Sequence, residues 1–222
     1  MSSTAGTKLI SKQERNMVKL PSFILGVIGG VLLSDGWLQL QSKNRSINAC
    51  LHFKQSLAHS QYVWFVYNII SHYCSSYPFL TSGTRAGVRF YGLEFFTRCL
   101  PCITELYPLF YIESKKVIPH NIYELLTPAA LAHLIMGDGT ALPQGLIICT
   151  NSFSLPDIVR LMNVLMTRYS LECSIHIKRR PSQKIEYLIY IKECSMPHLR
   201  SIVAPYFHSS MVYKINGKIG RR

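Results

Sequence analysis

Acidic residues are scarce in this chain, and aspartate is the scarcest. Among 222 residues only Asp35, Asp138 and Asp157 are aspartates, and 11 acidic side chains stand against 24 lysines and arginines, a formal charge of +13. A surplus that large excludes a surface built to repel polyanions. It points to a polyanionic partner, nucleic acid being the commonest, although a basic ribosome-associated protein without a sequence-specific site would carry the same charge. Long apolar runs are also missing. The longest, residues 23–33, is 11 residues with three glycines, whereas a membrane-spanning helix needs about 20. No membrane partner is therefore expected, and the polar, basic first 20 residues carry no secretory signal. Residues 1–18 read as a flexible N-terminal arm with a slight transit-peptide composition. The seven cysteines are odd in number, in a chain that is 48% hydrophobic, and read as reduced intracellular thiols. Cys99-Leu-Pro-Cys102 lacks a second ligand pair at zinc spacing and reads as two buried helix thiols, with no assigned function.

What is present repeats itself. Asp35-Gly36 and Asp138-Gly139 each close an apolar helical stretch, 103 positions apart. Cys50 and Cys149 are 99 apart, as are Cys74 and Cys173, and residues 49–56 resemble residues 146–152. A period near 100 is too long for a solenoid and implies a duplicated domain. Periodicity predicts, for the first half, a helix over 21–34, strands near 37–43 and 47–55, a helix over 58–74, strands near 78–83 and 86–91, and a helix over 93–105. For the second it predicts a helix near 127–137, strands within 140–151, a helix from 154 to about 169 opened by a Ser154–Asp157 capping box, strands 171–179 and 184–191, and a helix near 196–203. The fold class is α+β: two pseudo-symmetric αββαββα halves, at 19–118 and 119–222. Each antiparallel sheet has helices on one face, which leaves the other free for a ligand.

The segments Ile28-Gly-Gly-Val-Leu-Leu-Ser-Asp-Gly36 and Leu131-Ala-His-Leu-Ile-Met-Gly-Asp-Gly139 both resemble the nine-residue motif of LAGLIDADG homing endonucleases. Lys116-Val-Ile-Pro119, Leu126-Thr-Pro128, Thr150-Asn-Ser-Phe-Ser154 and Met211-Val-Tyr-Lys214 resemble blocks of single-chain, intron-encoded members, and the similarity covers residues 21–215. Physical chemistry explains the residue choices. Gly26, Gly29 and Gly30, with Ala129, Ala130 and Ala132, let two helix backbones approach closely. Gly36 and Gly139 stand where a helix calls for a left-handed terminating residue. A carboxylate at a helix C-terminus opposes the dipole, a poor choice for stability and a useful one for holding cations. The sequence departs from the motif at Leu33 and Met136, where the family name has an acid, and at Gly29 and His133; His133 is expected to pack at the helix interface.

The resemblance implies a site-specific endonuclease that makes a metal-dependent double-strand break with 3′ overhangs. Its sheets would form a DNA-binding saddle. Asp35 and Asp138, helped by the carbonyls of Ser34 and Gly137, would hold two or three divalent cations, Mg2+ first, and Lys116 and Lys214 would stand beside them. Major-groove contacts would come from Gln39, Gln41, Lys43, Arg45, Asn48, His52, Lys54, Arg85 and Arg89 in the first half. In the second they would come from Thr140, Thr150, Asn151, His176, Lys178, Arg180, Lys184 and Glu186. The resemblance further implies double-stranded DNA as the partner and a monomer acting in the mitochondrion, or alternatively in the chloroplast. The alternatives are a group I intron maturase of the same fold, which binds its own intron RNA with or without cleavage, and a nucleic-acid-binding protein with dead sites.

Overall fold

The computed structural model describes residues 10–43, 46–85, 87–179 and 185–216. In chain order these form α1 (Lys12–Met17), α2 (Ser22–Leu33), β1 (Gly36–Lys43), β2 (Ser46–Ser56), α3 (Ser60–Ile70), β3 (Phe79–Arg85), β4 (Val88–Phe96), α4 (Pro101–Thr104), α5 (Tyr107–Phe110), β5 (Tyr111–Ile112) and β6 (Lys115–Lys116). They continue with α6 (Ile122–Leu125), α7 (Pro128–Asp138), β7 (Gly139–Leu142), β8 (Gly145–Cys149), α8 (Leu155–Tyr169), β9 (Cys173–Arg179), β10 (Ile185–Lys192), α9 (Met196–Val203) and α10 (Tyr213–Asn216). The chain divides into two compact units. One holds Asp35–Pro108 with the residues up to Leu25, the other Gly26–Ser34 with Leu109–Arg222.

Each unit contains a four-stranded antiparallel sheet, ordered β1-β2-β4-β3 in the first and β7-β8-β10-β9 in the second. The expected αββαββα order therefore holds twice. In the first sheet one face is packed by α3: Phe53 meets Tyr62 edge-on at 5.6 Å and Phe95 meets Tyr67 at 5.5 Å. All four rings are buried, and each contributes about 2–3 kcal/mol by leaving water. In the second, α8 lies on β9 and β10. Its Ile158, Leu161 and Leu165 recur at helical spacing and are fully buried, as an amphipathic helix on a sheet requires. Ser154 caps it as expected, accepting from the Asp157 amide. Among the described residues no helix is long and apolar enough to cross a membrane.

The structure corrects four expectations. Residues 93–105 are not one helix. Leu93 and Phe95 are buried while Glu94 and Phe96 are half-exposed, a period of two, so they end β4; the helix starts only at Pro101, a residue suited to a first turn. Within the expected arm, residues 12–17 form α1 because Ser11 and Glu14 make a reciprocal capping box. Gly36 and Gly139 are not left-handed, since the only positive-φ glycines among the described residues are Gly87 and Gly145. In the first half the two turn residues Ser34 and Asp35 join α2 to β1, and in the second α7 runs straight into β7; a Cβ on Gly139 would lie 2.5 Å from the Ile135 carbonyl oxygen. Finally, Cys50 and Cys149 are not equivalent. Gly36 pairs with Phe53 and Gly139 with Ile148, so Cys149 occupies the place of Lys54. Cys74 and Cys173 do correspond, facing Thr97 and Ile191 at matching rungs.

Candidate active site

The second unit holds a pair of closely apposed helices. A Cβ on Gly26 would lie 2.4 Å from Thr127 Oγ1, and one on Gly30 would lie 2.3 Å from the Ala130 carbonyl oxygen and 2.7 Å from His133 Cβ. The contacts advance along both helices together, so α2 and α7 run in the same direction, and the residues at their C-terminal ends, Ser34 and Gly137, emerge at one end. Only glycine allows this approach, because any side chain at Gly30 would meet backbone. Thr127 opens α7 as its N-cap, accepting from the Ala130 amide, with Pro128 following. His133 is packed in the interface as expected: it is 1% exposed, and burial pushes its imidazole down to about 3, so it is neutral near pH 7.

At this end two lysines reach equivalent atoms from unlike supports. Lys116 comes from the β5–β6 hairpin, whose turn residues Glu113 and Ser114 take φ of 48° and 64°. Its Nζ donates to the carbonyl of Ser34 at 3.0 Å. Lys214 comes from α10, which packs on β7, and its Nζ donates to the carbonyl of Gly137 at 2.5 Å. Each lysine therefore sits on the carbonyl immediately before a motif aspartate. Asp35 and Asp138 are both half-exposed. In the first unit Gln55 Nε2 donates to Asp35 Oδ2. Around Asp138, the Cys149 thiol is pushed up by burial first and then by the Asp138 charge, while a hydrogen bond with Thr140 and the charges of Lys214 and Lys178 pull it down.

The donors available at each motif, a carboxylate and a carbonyl, are hard oxygens that suit Mg2+, Mn2+ or Ca2+ rather than zinc. Among the described residues no three His, Cys, Asp or Glu side chains form a closed metal cage. Cys99 is half-buried ahead of α4, not within a helix, and its thiol donates to Gln41 Oε1 at 3.4 Å. Cys102 is buried on α4.

The expected DNA-facing residues fall into three groups. Gln39, Arg89, Thr140, Asn151, His176 and Lys178 are exposed; Gln41, Asn48 and Lys54 are half-buried. Three others are covered. Thr150 is 1% exposed on the helix-side register of β8, and its hydroxyl donates to the Tyr187 carbonyl at 2.7 Å, so it cannot reach a groove. His52 is 8% exposed, stacked on Trp37 at 5.1 Å and hydrogen-bonded to Glu94 at 3.2 Å. Glu186 is 6% exposed. Arg45, Arg180 and Lys184 lie outside the described residues, as do the side chains of Lys43 and Arg85. Sequence reasoning missed Gln55, and it missed Trp37, Phe96 and Phe79, whose rings form a row with His52 across the first sheet. Only the strand register puts those residues together.

A family model described as the LAGLIDADG DNA endonuclease family matches residues 25–199. The chain belongs to that family. It is 30% identical to the cytochrome b mRNA maturase bI2 of Saccharomyces cerevisiae over 90% of its own length, and spans about half (49%) of that relative. The DNA endonuclease I-ChuI of Chlamydomonas applanata is 27% identical over 86% of this chain and 93% of its own. The homing endonuclease I-WcaI, solved bound to its DNA recognition sequence, superposes with a TM-score of 0.81 over 95% of each chain at 21% identity, and so shares the fold. The two segments that resemble the family's motif lie on α2 and α7 and close on Asp35 and Asp138.

Proposed function

We propose that this protein is a site-specific DNA endonuclease that cuts both strands of a long target, one strand per motif, to leave 3′ overhangs. One observation carries the reading. Lys116 and Lys214, held by a hairpin in one case and a helix in the other, are each anchored on the carbonyl preceding a motif aspartate. Two unlike supports delivering the same group to the same place fit selection for chemistry at both motifs. Asp35 with the Ser34 carbonyl, and Asp138 with the Gly137 carbonyl, would hold the divalent cations, Mg2+ first. When bound, such ions act as Lewis acids on the attacking and leaving oxygens of a phosphodiester. The chain's own contribution is positional. The carbonyl bond fixes each ammonium where it can neutralise a phosphate or polarise a water, and Gln55 orients the Asp35 carboxylate. The +13 charge draws in the duplex, and the exposed strand residues Gln39, Thr140, His176 and Lys178 face its bases.

We further take residues 19–118 and 119–222 as the two repeats of a monomer acting in the mitochondrion, with the chloroplast as the alternative. Asp35→Asn and Asp138→Asn should each abolish the double-strand break on a duplex spanning the intron-free junction of the host gene, with binding retained. Full cutting by either variant would overturn the assigned roles. The maturase reading is favoured by the name of the yeast relative. Splicing of the host intron RNA by both aspartate variants, with no cutting by the unaltered protein, would establish it instead.

A further inference from the structure

The two halves share a topology but not a reach. From Gly36↔Phe53, next to Asp35, the β1–β2 ladder runs outward through eight pairs to Lys43↔Ser46. From the equivalent rung Gly139↔Ile148, next to Asp138, the β7–β8 ladder runs through only four, to Leu142↔Gly145. The second hairpins differ the same way. Phe79↔Glu94 and His176↔Leu188 are equivalent rungs, and beyond them the chain encloses 14 residues in the first half and 11 in the second. Both hairpins of the first half are therefore the longer.

In an antiparallel strand each residue advances about 3.4 Å, nearly the rise of one base pair along a DNA strand. Four additional pairs of residues extend the first hairpin by about 14 Å, the length of roughly four base pairs. The added stretch is suited to reading. Gln41 and Asn48 face one another on it, both half-exposed, and side-chain amides recognise base edges. Gln41 is steadied by the Cys99 thiol at 3.4 Å, and the Asn48 carboxamide lies 3.1 Å from the Thr104 hydroxyl.

Resting on the endonuclease reading, we infer that target recognition is lopsided. The half built on Asp35 reads about four base pairs farther from the cleavage centre than the half built on Asp138, and Gln41 and Asn48 are specificity-determining residues of that outer stretch.

The test is binding selection from a randomised duplex library, with the unaltered protein and two variants. One variant deletes residues 40–43 and 46–49, which leaves four rungs, as in β7–β8. The other, Gln41→Ala, leaves the backbone intact and serves if the deletion does not fold. The unaltered protein should enrich a consensus extending about four base pairs farther on one side. The deletion should trim that side alone, and Gln41→Ala should relax one or two positions within it by about 5- to 100-fold. Equal extents on the two sides, trimming of both sides, or an unrelaxed Gln41→Ala consensus would overturn the inference. Enrichment of no sequence at all would instead remove the endonuclease reading beneath it.

Discussion

Gly29 and Gly30 are adjacent in α2, yet alanine at the two positions should act in opposite directions. At Gly30 an added Cβ would stand 2.3 Å from the Ala130 carbonyl oxygen and 2.7 Å from His133 Cβ. Comfortable contact lies near 3.5–4.0 Å, so α2 and α7 would have to part by about 1 Å. Overpacking of this kind costs about 1–3 kcal/mol, more where backbone must move, and it is only partly offset by about 1 kcal/mol of gained helix propensity. A net loss of about 2 kcal/mol follows. At Gly29 the nearest atom, the Leu125 carbonyl oxygen, is 3.9 Å away, so the propensity gain of up to about 1 kcal/mol is not opposed. For a chain this long 1 kcal/mol is worth about 2–4 °C in Tm. Gly30→Ala should therefore melt about 4–8 °C below the unaltered protein and Gly29→Ala slightly above it, with urea unfolding at unchanged m reporting the same order. A Gly30→Ala protein as stable as Gly29→Ala would refute the close approach of the two helices.

Burial makes His133 a source of acid sensitivity. Its folded value of about 3 lies below its ordinary 6.5, so stability is full above pH 6.5 and falls as pH drops, because the unfolded chain alone takes up the proton; about 2 kcal/mol should be lost by pH 5. Urea titrations at pH 7.5 and 5 should show that slope, and His133→Gln should remove it. Lys116→Met and Lys214→Met should each slow cleavage of one strand by about 100-fold while leaving the other, so that an end-labelled duplex accumulates opposite nicks; equal slowing of both strands by one variant would contradict one lysine per motif. Asp157 is 9% exposed and accepts from Arg160 at 2.8 Å and from the Ser154 hydroxyl at 2.8 Å. Asp157→Ala should cost about 1–3 kcal/mol by leaving the partly covered guanidinium without its carboxylate, and an unchanged urea midpoint would show the pair to be incidental.

Much of the fold was legible because its signals are local. The α8 helix announces itself by Ser154, Pro156 and an apolar stripe, and α7 by Thr127 and Pro128; neither depends on distant contacts. Illegibility begins where a local pattern has two solutions. Residues 93–105 are apolar enough for a helix, and only pairing of Leu93 with Leu80 and Gln55 makes them strand. The α1 box at Ser11 and Glu14 was readable but lies in a polar stretch with no buried residue, where hydrophobic periodicity gives no prompt. Equal spacing also misled: Cys50 and Cys149 are as far apart as Cys74 and Cys173, yet the short β7–β8 hairpin shifts the register between the first pair and not the second.

The site divides along the same line. The aspartates were legible because each is tied to a helix end by chain position, and a repeat of such ends is conspicuous in a chain with only three aspartates. The base-facing residues were less legible, since polarity on a strand does not say which neighbours will cover it. His52 is taken by Trp37 and Glu94, and Thr150 falls on the helix side. The lysines are the instructive case. Lys116 and Lys214 sit on different secondary structure, so periodicity does not pair them; the resemblance and their similar distances from the two aspartates, 81 and 76 positions, do, and both reach the carbonyl before an aspartate. The hairpin and the helix differ while the contact is the same, so the contact and not its support is what the two lysine variants probe: one nicked strand for each, on opposite strands, is the outcome that ties each contact to its own motif.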